Sequence, residues 1–177
     1  MMISLSDLRK FKSEGRKFSC LTCYDASMAK AMELAEVDSI LIGDSLGMAI
    51  QGHDSTLPVT VDDMAYHTAA VRRGNSHAFI MTDLPFMSYA TLNDALQSAK
   101  KVMQAGAQMI KIEGGAWLSE SVRVLTQNGI PVCVHLGLTP QSVHVFGGYK
   151  LQARTREAAD QLIADCTAVV DAGAAIL

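Results

Sequence analysis

The sequence predicts an α/β protein built on parallel strands, and three observations carry that reading. Short apolar segments alternate with amphipathic helical segments along the whole chain. Glycine closes several helical segments just before the next strand begins. One strand after another ends on a charged or otherwise reactive residue, as strands do where an α/β protein keeps its functional face.

The strand candidates are 18–24, 39–43, 78–82, 109–112, 131–135 and a start at 174–177. Each is short and bounded by Gly, Asp or Pro, and its near-continuous apolar character fits a strand covered on both faces. The first fifteen residues read as a short amphipathic helix. Helical periods follow at 26–35, 61–73, 92–105, 118–127 and 156–172. Thr60 is a good N-cap with Asp63 at the third helical position, and Thr91 opens the next helix, which ends at Gly106. Irregular segments are expected at 45–58, with His53 and Asp54, and at 136–150. No linker interrupts the pattern, so residues 1–177 read as a single domain. Six strands leave two architectures open: part of a closed eight-stranded barrel, or a doubly wound sheet.

Apolar residues make up 49% of the chain and charged ones 19%, the balance of a globular rather than a disordered protein. The net charge of −3 and the lack of a basic run beyond Arg72–Arg73 argue against nucleic-acid binding. No apolar run approaches the ~20 residues of a membrane span, and the amino terminus lacks the apolar core of a signal peptide. A cytoplasmic location is the expectation. Cys20 and Cys23 form a CxxC, but on a strand positions i and i+3 face opposite ways, so ordinary reduced thiols are expected there and at Cys133 and Cys166. Met64, Met81, Met87, Met103 and Met109 read as core filler.

The chemistry gathers at the strand ends. The second strand runs Leu41-Ile42-Gly43-Asp44-Ser45, the third Ile80-Met81-Thr82-Asp83, the fourth Ile110-Lys111-Ile112-Glu113 and the fifth Val132-Cys133-Val134-His135. Lys111 and Glu113 lie two apart and share one face of their strand, which in a barrel is the inward one. Burying them costs several kcal/mol unless they are paired or bound. Asp44, Asp83 and Glu113 offer oxygen only, which suits magnesium better than zinc. His135 reads as a ligand or a substrate contact, and Ser45 as a carboxylate donor or a simple turn residue. The competing readings are that Asp44 and Asp83 cap local turns, that Lys111 and Glu113 form an internal ion pair, and that His135 is a satisfied buried histidine.

These segments resemble the ketopantoate hydroxymethyltransferase family. The similarity covers Leu41-Ile42-Gly43-Asp44-Ser45-Leu46-Gly47-Met48, Gln51-Gly52-His53-Asp54-Ser55-Thr56-Leu57-Pro58 and Tyr66 to Gly74. It continues through Asp83-Leu84-Pro85-Phe86-Met87, Lys111-Ile112-Glu113-Gly114-Gly115 and His135-Leu136-Gly137-Leu138-Thr139-Pro140-Gln141. The resemblance runs from about Leu5 to the last residue. It implies a (β/α)8 TIM-type barrel, truncated here within the sixth strand, a homo-oligomer (a decamer in many members) and a magnesium ion. It implies transfer of a hydroxymethyl group from 5,10-methylenetetrahydrofolate to 3-methyl-2-oxobutanoate, giving 2-dehydropantoate for pantothenate synthesis. By motif, Asp44, Asp83 and Glu113 match the metal positions. Asp44, Ser45, Asp83 and Lys111 match those contacting the keto acid. Lys111 and His135 are the catalytic candidates. The family's general base is a glutamate at the end of the sixth strand, beyond Leu177, so this chain alone is expected to lack it. Two alternatives follow: an inactive remnant that binds metal and keto acid or assembles with intact subunits, and another magnesium-dependent 2-keto-acid lyase or mutase.

Overall fold

The computed structural model describes residues 2–177. Five parallel strands form one sheet: β1 (Cys20–Thr22), β2 (Ser39–Ile42), β3 (Phe79–Asp83), β4 (Met109–Glu113) and β5 (Val132–His135). Their spatial order is their sequence order, β1-β2-β3-β4-β5. A doubly wound sheet reverses its order at a switch point, whereas a (β/α)8 barrel adds each strand beside the last. The unbroken order therefore identifies the chain as an arc of a barrel. The arc extends into a sixth strand position. Val134 N–H donates to Ile176 O at 3.0 Å and Ala175 N–H to Val132 O at 2.8 Å, and Ile176 bridges Cys133 in parallel.

The helices lie between the strands: α1 (Leu5–Ser13), α2 (Ala26–Leu34), α3 (Leu46–Ala49), α4 (Val61–Gly74), α5 (Leu92–Gln104), α6 (Ser119–Gln127), α7 (Val143–Phe146) and α8 (Arg156–Asp171). Capping fixes where the long ones start. Thr60 accepts from Asp63 N–H while Asp63 accepts from Thr60 N–H, and Thr91 and Asp94 repeat the exchange. The last residue of α4, Gly74, meets α2 so closely that a Cβ there would lie 2.2 Å from Ala26 O. The two expected loops are more ordered than their composition suggests: one holds α3, the other a 3-10 turn (Pro140–Ser142) and α7. Composition rich in Gly and Pro marks a break in periodicity without excluding a single helical turn inside it.

Strand alternation builds two cores. Ile40, Ile42, Ile80, Ile110, Ile112, Val132 and Val134 point outward and pack with the helices. Phe79, Met81, Met109 and Cys133 point inward and pack with Ile3 and Leu8. Of the five methionines read as core, Met64, Met81 and Met109 are buried and Met103 packs against the outer core. Met87 departs from that expectation: it is 61% exposed with φ of 61°, because the loop after β3 turns there. All four cysteines are free, with Cys20 exposed and Cys23 buried.

Candidate active site

The inward positions of β3 and β4 change character toward their carboxyl ends. Phe79 and Met81 give way to Asp83, and Met109 gives way to Lys111 and Glu113. Register sets the partners: Asp83 stands beside Lys111 and Glu113 beside His135. On β2 the next inward position is Gly43. A Cβ there would lie 2.9 Å from Ser45 Oγ and 3.5 Å from Asp83 Oδ2. The missing side chain leaves room for the Asp83 carboxylate, which accepts from Asp44 N–H at 3.2 Å.

Four charged groups are thereby buried together: Asp44 (3% exposed), Asp83 (3%), Lys111 (8%) and Glu113 (5%). Lys111 Nζ lies 2.9 Å from Asp83 Oδ1 and 3.8 Å from Glu113 Oε1. Among the described residues the Lys111 ammonium is the one polar partner of the buried Asp83 Oδ1. Burial acts to depress the Lys111 ammonium, but Asp83, Glu113 and Asp44 outweigh it and hold the pKa above its ordinary value. Burial, then the neighbouring Asp83 carboxylate, raises Asp44 to about 6. Burial raises Glu113 to about 7 against the pull of Lys111. Three acids and one base leave an excess of negative charge that burial makes costly.

The six residues singled out from the sequence line one cavity of about 350 Å³: Asp44, Ser45, Asp83, Lys111, Glu113 and His135. His135 is half-buried, with Nδ1 3.6 Å from Glu113 Oε1. Burial and then the Lys111 charge lower its pKa, favouring the neutral ring. Ser45 Oγ is 2.9 Å from the Tyr24 hydroxyl. His53 and Asp54 are exposed in their loop and lie outside this cavity.

Four further residues were not singled out. Gln141 is buried between Asp44 and Glu113, and Tyr89 is bonded to it. Tyr24 contacts Ser45, and its carbonyl meets His67 Nδ1 at 2.6 Å. Thr56 lines the cavity with a buried hydroxyl that has no partner. Gln141, Tyr89 and Thr56 lie in irregular segments, where spacing carries no orientation, and Tyr24 falls at the end of the expected first strand but beyond the observed β1. The only signal was that Thr56 and Gln141 fall in irregular segments that follow strands.

The residues fit a hard divalent cation by three observations. The donors are carboxylate oxygens, the acids exceed the base, and Gly43 leaves beside Asp83 a space that a Cβ would fill. Among the described residues no three His, Cys, Asp or Glu groups form a ready-made cage. Magnesium does not require one, since it commonly takes one or two carboxylates and completes its shell with water and substrate.

Residues 2–177 match the model of the family described as ketopantoate hydroxymethyltransferase. Over 176 residues the chain is 93% identical to the 3-methyl-2-oxobutanoate hydroxymethyltransferase of Acinetobacter baylyi and 65% identical to that of a Psychrobacter species. In both cases the match covers 99% of this chain and 65% of the relative's length. Among solved structures, a phosphonopyruvate hydrolase aligns with a TM-score of 0.73 at 15% identity, covering 98% of this chain and 61% of that one. A 2,3-dimethylmalate lyase of the PEP mutase/isocitrate lyase superfamily aligns at 0.66 and 17%, covering 98% and 62%. At such identities the likeness is one of fold.

Proposed function

The chain belongs to the ketopantoate hydroxymethyltransferase family, and from that premise we propose that it carries the keto-acid and metal half of a hydroxymethyl transfer. The reaction is addition of the one-carbon unit of 5,10-methylenetetrahydrofolate to 3-methyl-2-oxobutanoate, giving 2-dehydropantoate. Its single strongest support beyond family membership is the buried cluster of three acids around Lys111 at the strand ends.

In this reading Asp44, Asp83 and Glu113 hold magnesium, which when bound supplies Lewis acidity toward the oxygens of a 2-keto acid. Asp44, Ser45, Asp83 and Lys111 seat the substrate. Lys111 stays protonated because acids surround it, so it presents a fixed positive charge where negative charge grows on the keto oxygen during enolisation. His135, neutral and half-buried on the cavity wall, offers a ring nitrogen to a substrate oxygen without adding a second cation beside Lys111. No residue of this chain is assigned removal of the C3 proton. The reading includes a single domain over 1–177, a homo-oligomer and a cytoplasmic setting. No helix among the described residues is long and apolar enough to cross a membrane.

Calorimetric titration of the purified chain with 3-methyl-2-oxobutanoate tests this. Binding should require magnesium and should vanish in Asp83→Ala. Equal binding with and without the metal, or in Asp83→Ala, would overturn the assignment.

A further inference from the structure

We infer that Gln141 is a positioning residue for the metal-binding acids: it fixes Asp44 and Glu113 relative to each other and so sets the affinity for the divalent cation. The inference rests on the metal reading above and adds to it the residue that organises the acids. Gln141 lies in the 3-10 turn after β5 and is 6% exposed. Its side-chain amide donates to Asp44 Oδ2 at 2.8 Å and to Leu84 O at 3.0 Å. Its backbone N–H donates to Glu113 Oε2 at 3.1 Å. Its Oε1 accepts from the Tyr89 hydroxyl at 2.5 Å, and that hydroxyl in turn accepts from Glu113 N–H at 3.2 Å.

Both amide protons and the amide oxygen are therefore used, each by a different partner. Leu84 O and the Asp44 carboxylate accept, so they dictate which end of the amide is the nitrogen, and the Tyr89 hydroxyl meets the oxygen at the other end. One residue thus ties the loop after β5 to the ends of β2 and β4 and to the loop after β3. Through Asp44 the tie reaches Asp83, whose Oδ2 accepts from Asp44 N–H. Outer partners of this kind typically change metal affinity by about 10–100-fold when removed.

Manganese serves as the probe, with free ion counted by electron paramagnetic resonance in titrations of the chain. Gln141→Ala should weaken binding by about 10–100-fold. Gln141→Glu keeps the shape and the acceptor for Tyr89 but sets an anion against Asp44, so it should be no better than Gln141→Ala. Tyr89→Phe removes the hydroxyl that braces the amide oxygen and should weaken binding by less, with no further effect when added to Gln141→Ala. If Gln141→Ala fails to fold, Tyr89→Phe carries the test. A residue that only braces the loop would lower the melting temperature and leave manganese affinity unchanged, and that result overturns the inference. Restored affinity in Gln141→Glu would also overturn it, because the donor would then be irrelevant. If the unaltered chain binds no manganese, the metal reading itself fails. If it binds and Gln141→Ala binds equally, only the positioning role fails.

Discussion

The inner face of the sheet is two environments on the same strands. At the amino ends, Phe79, Met81, Met109 and Cys133 meet Ile3 and Leu8 in a small apolar cluster beside α1. At the carboxyl ends, the next inward positions are Asp83, Lys111, Glu113 and His135. On β4 the change takes two residues, from Met109 to Lys111. Backbone geometry is the same at both ends, so the difference lies in what each face is for. The apolar end lowers free energy by burial alone. The charged end raises it, and is tolerated because the acids share Lys111 and have room for a cation.

Removing Lys111 should be the most damaging single change. Lys111→Met keeps most of the volume but leaves three buried acids without their cation. It should cost about 3–5 kcal/mol in urea denaturation without metal, and magnesium should recover part of the loss. Equal stability of the variant and the parent would mean that the charges are less coupled than their distances imply. Met109→Ala, two residues earlier on the same face, should cost about 2–5 kcal/mol by leaving a cavity. It should leave manganese affinity untouched. A large affinity change there would break the division between the two ends.

The cation should distinguish the ends from the other side. At a hundred times its dissociation constant, magnesium should raise unfolding free energy by about 2.7 kcal/mol if one site binds only the folded chain. Asp83→Ala should show none of that gain, while Met109→Ala should show all of it. Differential scanning calorimetry with and without the metal measures both.

Much of this division was legible in the sequence, because period-two alternation assigns a face to every strand residue once one is fixed. Spacing alone puts Lys111 and Glu113 on one face of one strand. Strand order was not legible: six strands are compatible with two architectures, and only hydrogen-bonded adjacency excludes the doubly wound one. Gln141 was invisible for a different reason. A glutamine after Gly137 and Pro140 reads as a solvated loop residue, and its burial depends on four partners from Asp44 to Glu113 that no local pattern connects. Ser45 is intermediate, since its place beside Asp44 was plain but its contact with Tyr24 spans two strand ends.

Charge also occurs at the amino ends, and there it should matter least. Asp38, just before β2, accepts from Arg16 Nη2 at 2.8 Å, from Ser19 N–H at 2.9 Å and from Ser19 Oγ at 3.0 Å. The Arg16 side chain is 53% exposed, so water screens the pair and resolvates the guanidinium when it lets go. Asp38 would keep both Ser19 donors in Arg16→Ala, so no buried charge is abandoned. The expected cost is about 0.2–1 kcal/mol, shrinking further in salt as the Debye length shortens. Denaturation of Arg16→Ala at low and high ionic strength checks this. A loss as large as that of Lys111→Met would show that burial of the carboxylate, rather than burial of its partner, sets the cost of breaking an ion pair in this barrel.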